Sequence, residues 1–211
     1  KFGVVLDVGA YIGNHSLYFS NHFKKVISFE PNPFSFELLN LNTKEKKNIK
    51  INNYGLLNRN SVKNFYLYEF NYGGSSILRN KKKPFKKFKA VFYNFDKLKL
   101  RDKIDLIKID VEGEELNVLK GMEKTIEKNS PIVLFESQKN EIINGTSKVI
   151  LFLKSKKYNK FYSIENYKKE HVTFYDKIIY YFKFIFISRK KYIVMRNNFK
   201  KKYYSLIIAQ K

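Results

Sequence analysis

The sequence predicts an α/β protein with a Rossmann-like, mostly parallel sheet of about seven strands, helices on both faces and an antiparallel last strand. The first observation behind this prediction is the segment Val4–Gly13, in which an apolar run leads into a glycine turn and a helical pattern. The second is Ile104–Gly113, which repeats that arrangement. The third is a pair of short apolar runs, Val26–Phe29 and Ile132–Phe135, each followed by a glutamate. Buried strands that alternate with helical patterns are typical of parallel sheets.

The segment Val4–Gly13 reads V-V-L-D-V-G-A-Y-I-G. The apolar residues at its start predict a strand that is buried on both faces. Gly9 and Gly13 then place a turn between this strand and a helix, as in nucleotide-binding folds. Glycine suits such a turn because a ligand can approach the backbone closely where no Cβ stands in the way.

The residues around this turn argue against a dinucleotide ligand. A dinucleotide fingerprint reads G-x-G-x-x-G, whereas here only Gly9 and Gly13 are present. Asp7, at the end of the strand, would repel a pyrophosphate but would suit an ammonium or sulfonium group. Glu30, at the end of the second strand, is placed to accept both hydroxyls of a ribose. A ribose, a cationic end and no phosphate describe S-adenosylmethionine. The alternative is a generic doubly wound domain with ordinary turn glycines.

Two loops extend the predicted ligand site. Pro31-Asn32-Pro33 forms a rigid turn directly after Glu30 and closes the ribose region. The segment Asn53–Leu57, which includes Gly55, follows a third predicted strand that contains Ile49 and Ile51, and would lie beside an adenine ring. A third segment, Gly73–Ser76, predicts either a flexible loop with two hydroxyls or a plain turn.

Carboxylates follow two of the later strands. Asp110 and Glu112 come at the end of the strand in Ile104–Gly113, and Glu136 ends the strand after it. Ligands of open α/β sheets bind at this edge, so these acids predict a general base or ligands of a divalent metal. The alternative is that Asp110 caps the next helix and Glu112 is solvated. Lys108 is an exception within its apolar strand, and it either points elsewhere or pairs with an acid.

Composition limits the class of protein. The 211 residues predict one domain, 1–211, with enough apolar residues to bury a substantial core. The chain has no cysteine, no signal peptide before the first strand and no long uncharged apolar run, which favours a cytoplasmic location. It begins almost on its first strand, which suggests a trimmed start that lacks an N-terminal helix.

The formal net charge of +23 has two interpretations. It is typical of proteins that bind nucleic acid, an anionic glycan or a membrane surface. It also fits a lysine-rich composition in which lysines coat solvated faces, because lysine is scattered throughout and arginine, the better phosphate ligand, is rare.

The last part of the chain is basic and aromatic. Residues 168–204 form an insertion of this composition, and no acidic residue occurs between Lys177 and Lys211. The part 177–202 predicts either peripheral contact with an anionic membrane, such as the inner membrane surface, or a sheet edge and hairpin packed on the core. Tyr203–Ala209 predicts a terminal strand.

Five segments together resemble the FkbM-type methyltransferases in order and spacing: D-V-G-A-Y-I-G (7–13), F-E-P-N-P (29–33), G-G-S-S-I (73–77), K-I-D-V-E-G-E-E-L-N-V-L-K-G (108–121) and I-V-L-F-E (132–136). The resemblance extends over about residues 3–140, with a looser fit at Leu206–Lys211. It implies a class I methyltransferase fold, S-adenosylmethionine as the methyl donor, and transfer to a hydroxyl oxygen. It also implies that Asp110, Glu112 and Gly113 form the motif at the active-site edge.

The residues and the resemblance give one predicted site. The residues assigned to the cofactor are Asp7, Gly9, Ala10, Tyr11, Gly13, Asn14, Glu30, Pro31, Asn32, Gly55 and Asp110. Asp110, Glu112 and Glu136 are the candidate catalytic residues, in that order, and no metal is assigned because no histidine supports one. The predicted acceptor is a hydroxyl of a glycan or small molecule. The alternatives are an RNA acceptor and a lipid-linked glycan at a membrane surface.

Overall fold

The computed structural model describes residues 1–68, 71–77, 85–166 and 191–211. Within these ranges, the strands are β1 (Phe2–Val8), β2 (Phe23–Phe29), β3 (Ile49–Asn52), β4 (Gly55–Leu56), β5 (Ser61–Tyr68), β6 (Asn71–Ser76), β7 (Phe85–Tyr93), β8 (Ile104–Ile109), β9 (Ile132–Ser137), β10 (Lys160–Asn166), β11 (Lys191–Met195) and β12 (Tyr204–Gln210). The helices are α1 (Asn14–His22), α2 (Pro33–Thr43), α3 (Glu115–Lys120), α4 (Glu123–Asn129) and α5 (Lys148–Ser155).

The large sheet has the strand order β11-β10-β12-β9-β8-β1-β2-β3. Strands β9, β8, β1, β2 and β3 are parallel, whereas β12 runs antiparallel to β9, and β10 antiparallel to β12. The predicted fold class and the antiparallel last strand are therefore confirmed. The sheet has eight strands rather than the predicted number of about seven, because β11 adds to its edge.

Helices cover both faces of this sheet because successive side chains of a strand point to opposite sides. On β1, Leu6 and Val8 pack in a cluster with buried residues of α3, α4 and α5. Val5, directly before Leu6, packs instead with Phe19 of α1. All three strand residues are at most 1% exposed, so β1 is buried on both faces as its apolar run predicts. Its carboxyl end and those of β2, β8 and β9 consequently meet at one edge.

A second sheet, with the order β4-β7-β5-β6, was not predicted as a separate unit. Its inner face buries Leu57, Phe65 and Phe92 in a small apolar core. The expectation of a loop or turn at Gly73–Ser76 is wrong, because this segment lies in β6 and pairs with β5. The glycines of β6 do not favour a strand, and β6 is held in this conformation by its backbone hydrogen bonds to β5.

The end of the chain completes the large sheet. The predicted terminal strand is β12, and β11 pairs antiparallel with β10 at the sheet edge. The rest of the segment for which a membrane contact was predicted, residues 177–190, lies outside the described residues. In the part of the chain that the structure describes, no helix has the length and apolar character needed to span a bilayer.

Candidate active site

The turn between β1 and α1 is tightly wound. Gly9 and Gly13 have φ angles of 77° and 95°, and Tyr11 between them also has a positive φ of 51°. The backbone N–H groups of Gly9 and Ala10 both donate to the carbonyl oxygen of Phe29, at 3.0 and 3.1 Å, and so tie the turn to the end of β2. A Cβ at Gly9 would lie 1.9 Å from the carbonyl oxygen of Asp110. Glycine is therefore required at this position by the neighbouring strand, in addition to any ligand.

Glu30 follows β2 and stands against this turn. Its Oε2 accepts the backbone N–H of Tyr11 at 2.8 Å, and its Oε1 accepts that of Asn32 at 2.9 Å. Burial raises the pKa of Glu30 to about 7, although the hydrogen bonds from Asn32 and Tyr11 favour the ionised form. The carboxylate is thus fixed in position and titrates near neutral pH.

Asn32 continues the wall of the site beyond Glu30. Its side-chain oxygen accepts the N–H of Phe34 at 3.1 Å and caps α2, which begins at Pro33. The side-chain nitrogen of Asn32 has no hydrogen-bond partner among the described residues, although Asn32 is only 1% exposed. A buried amide donor is costly to leave unpaired, so Asn32 stores an unfavourable contribution beside the site.

A buried lysine connects β1 and β8. Lys108 Nζ lies 3.2 Å from Asp7 Oδ1 and 3.6 Å from Asp110 Oδ2, and it donates a 2.9 Å hydrogen bond to the carbonyl oxygen of Gly9. Burial opposes the ammonium form of Lys108, but Asp7 and Asp110 outweigh it and raise its pKa. Of the two predictions for Lys108, pairing with an acid is confirmed.

Asp7 lies beneath the site rather than on its surface. Its side chain is fully buried, and its Oδ2 accepts the hydroxyl of Ser16 at 2.6 Å. The Ser16 hydroxyl is also 2.8 Å from that of Ser28, on the neighbouring strand β2. Asp7 is therefore enclosed by Ser16 and Lys108. Asp7, Lys108 and Asp110 form a trio of charged side chains, in which the exposed carboxylate is that of Asp110, whose side chain is 40% exposed.

The turn after β8 is organised by Glu115, the first residue of α3. Glu115 Oε1 accepts the N–H groups of Val111 and Gly113 at 3.3 and 3.1 Å. Glu112 and Gly113 adopt positive φ angles of 55° and 99°, which turn the chain sharply into α3. The alternative in which Asp110 caps this helix is wrong, because Glu114 holds the N-cap position and no side chain caps α3. Burial raises the pKa of Glu115 to about 7.

Glu136, on β9, lies beside these acids. Gln138 Nε2 donates to its Oε1 at 2.5 Å, and the Tyr203 hydroxyl forms a further hydrogen bond with it. Burial and the negative charges of Asp110 and Glu112 raise the pKa of Glu136 to about 7. Burial and Glu136 in turn raise the pKa of Tyr203 to about 12, so the phenol keeps its proton and acts as the donor.

These groups surround a pocket of about 260 Å³ between the carboxyl edge of the large sheet and the small sheet. The predicted site residues that line it are Gly9, Tyr11, Glu30, Pro31, Asn32, Gly55, Asp110, Glu112 and Glu136. Asp7, Ala10, Gly13 and Asn14 are not among its lining residues. No group of three or more possible ligands arranged to hold a metal ion occurs in the described part of the chain.

Sequence reasoning missed two residues of this arrangement, Glu115 and Tyr203, and for Lys108 it left the pairing open and the acid unnamed. Lys108 carried a signal, since a lysine inside an apolar strand needs a buried partner. For Glu115, the only signal in the sequence was the general preference for acidic residues in the first turn of a helix. For Tyr203 the sequence contains no such signal. Tyr203 reaches Glu136 only because β12 pairs with β9, which places the neighbouring residues Tyr204 and Ser137 opposite each other.

Solved structures share this fold. Methyltransferase FkbM from Methylobacillus flagellatus KT matches with a TM-score of 0.51 and 17% identity, over 80% of this chain and 42% of that chain. Precorrin-6y C5,15-methyltransferase from Geobacter metallireducens GS-15 matches with a TM-score of 0.51 and 14% identity, over 100% of this chain and 81% of that chain. A search of curated proteins finds no match. The fold is thus that of a class I methyltransferase.

The family follows from the sequence. A family model described as the methyltransferase FkbM domain matches residues 7–160, and the chain belongs to this family. The resemblance to the FkbM-type methyltransferases is therefore confirmed. The chain spans 42% of the length of the Methylobacillus FkbM structure.

Proposed function

We propose that this chain binds S-adenosylmethionine with the ribose on Glu30 and transfers the methyl group to a hydroxyl oxygen of a glycan or small molecule. The proposal rests on the position of Glu30 in the pocket. Glu30, braced by two backbone N–H groups, shares a pocket with the carboxylates Asp110, Glu112 and Glu136. The cavity is therefore lined both by a carboxylate that can bind a ribose and by carboxylates that can take the proton of the acceptor hydroxyl.

The donor half of the pocket fits a nucleoside. An ionised carboxylate offers about four acceptor positions, and the N–H groups of Tyr11 and Asn32 use two of those on Glu30. The remaining positions suit the two hydroxyls of a ribose. Leu57 and Phe92, which pack in the core of the small sheet, give an apolar wall for the base. Gly55 lines the pocket at the predicted adenine position.

The predicted cofactor residues that do not line the pocket act through the turn. Ala10 helps hold the turn on β2, Gly13 provides its left-handed exit, and Asn14 begins α1. Asp7 acts by fixing Lys108, which in turn holds the Gly9 carbonyl group. We propose that these four residues shape the donor site without touching the donor.

The chemistry requires the removal of one proton. When bound, S-adenosylmethionine supplies an activated methyl group, so that the acceptor oxygen bonds to its carbon as the carbon–sulfur bond breaks and the electron pair goes to sulfur. The acceptor hydroxyl proton passes to a carboxylate at the mouth of the pocket. Asp110, Glu112 and Glu136 are the candidates, and the pKa of Glu136, about 7, allows it to accept a proton near neutral pH.

The charge of the pocket favours an uncharged acceptor. Five carboxylates line it, and no lysine, arginine or histidine occurs among its described lining residues; the five are Glu30, Asp110, Glu112, Glu114 and Glu136. A phosphodiester would be repelled there, despite the chain's net charge of +23. This supports a hydroxyl of a glycan or small molecule over RNA, and the membrane-surface alternative remains a prediction.

A labelled-methyl assay tests the proposal. Tritiated S-adenosylmethionine is incubated with the protein and with extracted glycan, lipid-linked glycan or total RNA, over a salt titration. We expect label in a glycan fraction, stable to mild alkali as a methyl ether is, and strongly reduced with Glu30→Ala at low donor concentration. Label in RNA with a steep loss at higher salt would contradict the proposed acceptor, since phosphate contacts give such a slope. Label released by alkali would indicate ester formation and also contradict it.

A further inference from the structure

The charges of the Asp7–Lys108–Asp110 trio do not cancel. Lys108 lies within 4 Å of two carboxylates, at 3.2 Å from Asp7 and 3.6 Å from Asp110. One ammonium cannot neutralise two carboxylates, so the trio carries a net charge of about −1 when all three groups are ionised. The pKa of Lys108 is raised, which keeps the ammonium charged.

This excess charge faces the pocket. The Asp7 and Lys108 side chains are 0% and 6% exposed, whereas that of Asp110 is 40% exposed and lines the cavity. Lys108 is also held away from the cavity by its hydrogen bond to the Gly9 carbonyl oxygen. A ligand in the pocket therefore meets the carboxylate of Asp110 and not the ammonium behind it.

The strand order sets Asp110 at a defined distance from the ribose site. Glu30 follows β2, Asp110 follows β8, and β1 with its glycine turn lies between those strands. Two strand spacings separate β2 from β8, about 10 Å between strand axes. Glu136, on β9, stands one strand further out. A donor held by its ribose at Glu30 and extending across the glycine turn would therefore meet Asp110 before Glu136.

We propose that Asp110 recognises the positive charge of the donor sulfonium, so that the site holds S-adenosylmethionine more tightly than S-adenosylhomocysteine. The inference rests on the proposed donor site and assigns to Asp110 a role beyond it. Methyl transfer turns the sulfonium into an uncharged thioether, so the attraction to Asp110 is lost with the methyl group. The same carboxylate thus favours binding of the donor and release of the product.

Calorimetry tests this without knowledge of the acceptor. The dissociation constants of S-adenosylmethionine, S-adenosylhomocysteine and sinefungin, whose ammonium replaces the sulfonium, are measured for the wild type and for Asp110→Asn. We expect the wild type to bind the two charged ligands about tenfold more tightly than S-adenosylhomocysteine, and Asp110→Asn to reduce that preference to about twofold or less. Affinity for S-adenosylhomocysteine should change little, which also shows that the variant is folded.

Two further variants test whether the preference for charged ligands depends on Asp110 in particular. Asp102→Asn is the matched control, because Asp102 pairs with Lys25 and does not line the pocket, and it should keep the wild-type preference. Glu136→Gln should also keep it. An Asp110→Asn variant with an unchanged preference, or an equal loss in Glu136→Gln, overturns the assignment to Asp110. If the wild type binds none of the three ligands, the proposed donor site itself is wrong.

Discussion

Lys108 Nζ donates a 2.9 Å hydrogen bond to the carbonyl oxygen of Gly9 and thereby joins β8 to the glycine turn after β1. The same ammonium is the counter-ion of Asp7, which is fully buried. One side chain thus fixes the turn on the donor side of the pocket and compensates a charge that would be costly inside the core. The stability of the fold and the shape of the site depend on it together.

Replacement of Lys108 by Met should lower the free energy of unfolding by about 3–5 kcal/mol, because Asp7 is left buried without a counter-ion. Urea denaturation followed by circular dichroism measures this. Lys25→Met is the matched control: Lys25 pairs with Asp102 in a partly exposed bridge, and its loss should cost about 0–1 kcal/mol. Equal effects of the two changes would contradict the structural role of Lys108. Adding Asp7→Asn to Lys108→Met should restore part of the lost stability.

Replacement of Glu30 by Ala should weaken donor binding by about 1.5–3 kcal/mol, the scale of hydrogen bonds to a charged group. Calorimetric titration with S-adenosylhomocysteine measures the change. Glu37→Ala, on the exposed part of α2, is the control and should bind as the wild type does. Wild-type affinity in the Glu30 variant would show that this carboxylate does not bind the ribose.

Donor affinity should fall as the pH is lowered through about 7, where Glu30 takes up a proton. Ribose hydroxyls donate to the ionised carboxylate, so its protonation removes an acceptor. The loss should approach tenfold per pH unit well below that value. S-adenosylhomocysteine titrations between about pH 5.5 and 8.5 test this dependence. The Glu30→Gln variant should show a flat profile, and a profile as steep as that of the wild type would contradict the assignment.

The pKa of Glu115 predicts an opposite dependence for the stability of the unliganded protein. Its folded-state pKa of about 7 exceeds the ordinary glutamate value of 4.5, so the folded state binds more protons between these values and stability falls as pH rises through them. A shift of this size corresponds to at most about 3 kcal/mol. In Glu115→Gln, the amide oxygen can still accept the N–H groups of Val111 and Gly113.

The Glu115→Gln variant should therefore gain stability over the wild type at pH 8 and differ little at pH 5. Thermal unfolding at the two pH values measures the difference. Glu37→Gln controls for the loss of a surface charge and should show no such pH-dependent gain. A destabilised Glu115→Gln at pH 8 would show that the ionised carboxylate is worth more to the turn than its burial costs.

The Tyr203 hydroxyl should lower the pKa of Glu136, because it donates to the carboxylate. In Tyr203→Phe, the Glu136 titration should move above its wild-type value of about 7. Carbon NMR of labelled glutamate carboxyl groups follows this titration directly. Tyr18→Phe, on exposed α1, is the control. An unchanged Glu136 titration in Tyr203→Phe would mean that the phenol does not act on that carboxylate.

The central sheet could be predicted because its signals are local. The runs Val4–Val8 and Ile104–Ile109 are apolar enough to be buried strands wherever they pair, and the glycine turn defines the direction in which the chain continues. The small sheet could not be predicted in this way. Its edge strand β6 contains Gly73 and Gly74, which favour a turn, and it becomes a strand only through pairing with β5.

The position of the site followed from one topological rule, since carboxyl ends of parallel strands share an edge and bring Glu30 and Asp110 to one pocket. The placement of Asp7 did not follow, because whether a strand-end acid faces a ligand or an internal cation depends on a lysine from a distant strand. Lys108 could be suspected as an acid's partner from the sequence, but the identity of that acid required the register of β1 with β8, which places Asp7 beside Lys108.

The most direct measurement is a crystal structure of the protein with S-adenosylhomocysteine bound. We expect both ribose hydroxyls within hydrogen-bond distance of the Glu30 carboxylate, the base between Gly55 and Leu57, and the sulfur on the Asp110 side of the glycine turn. A nucleoside bound outside this pocket, or a ribose that makes no contact with Glu30, would contradict it.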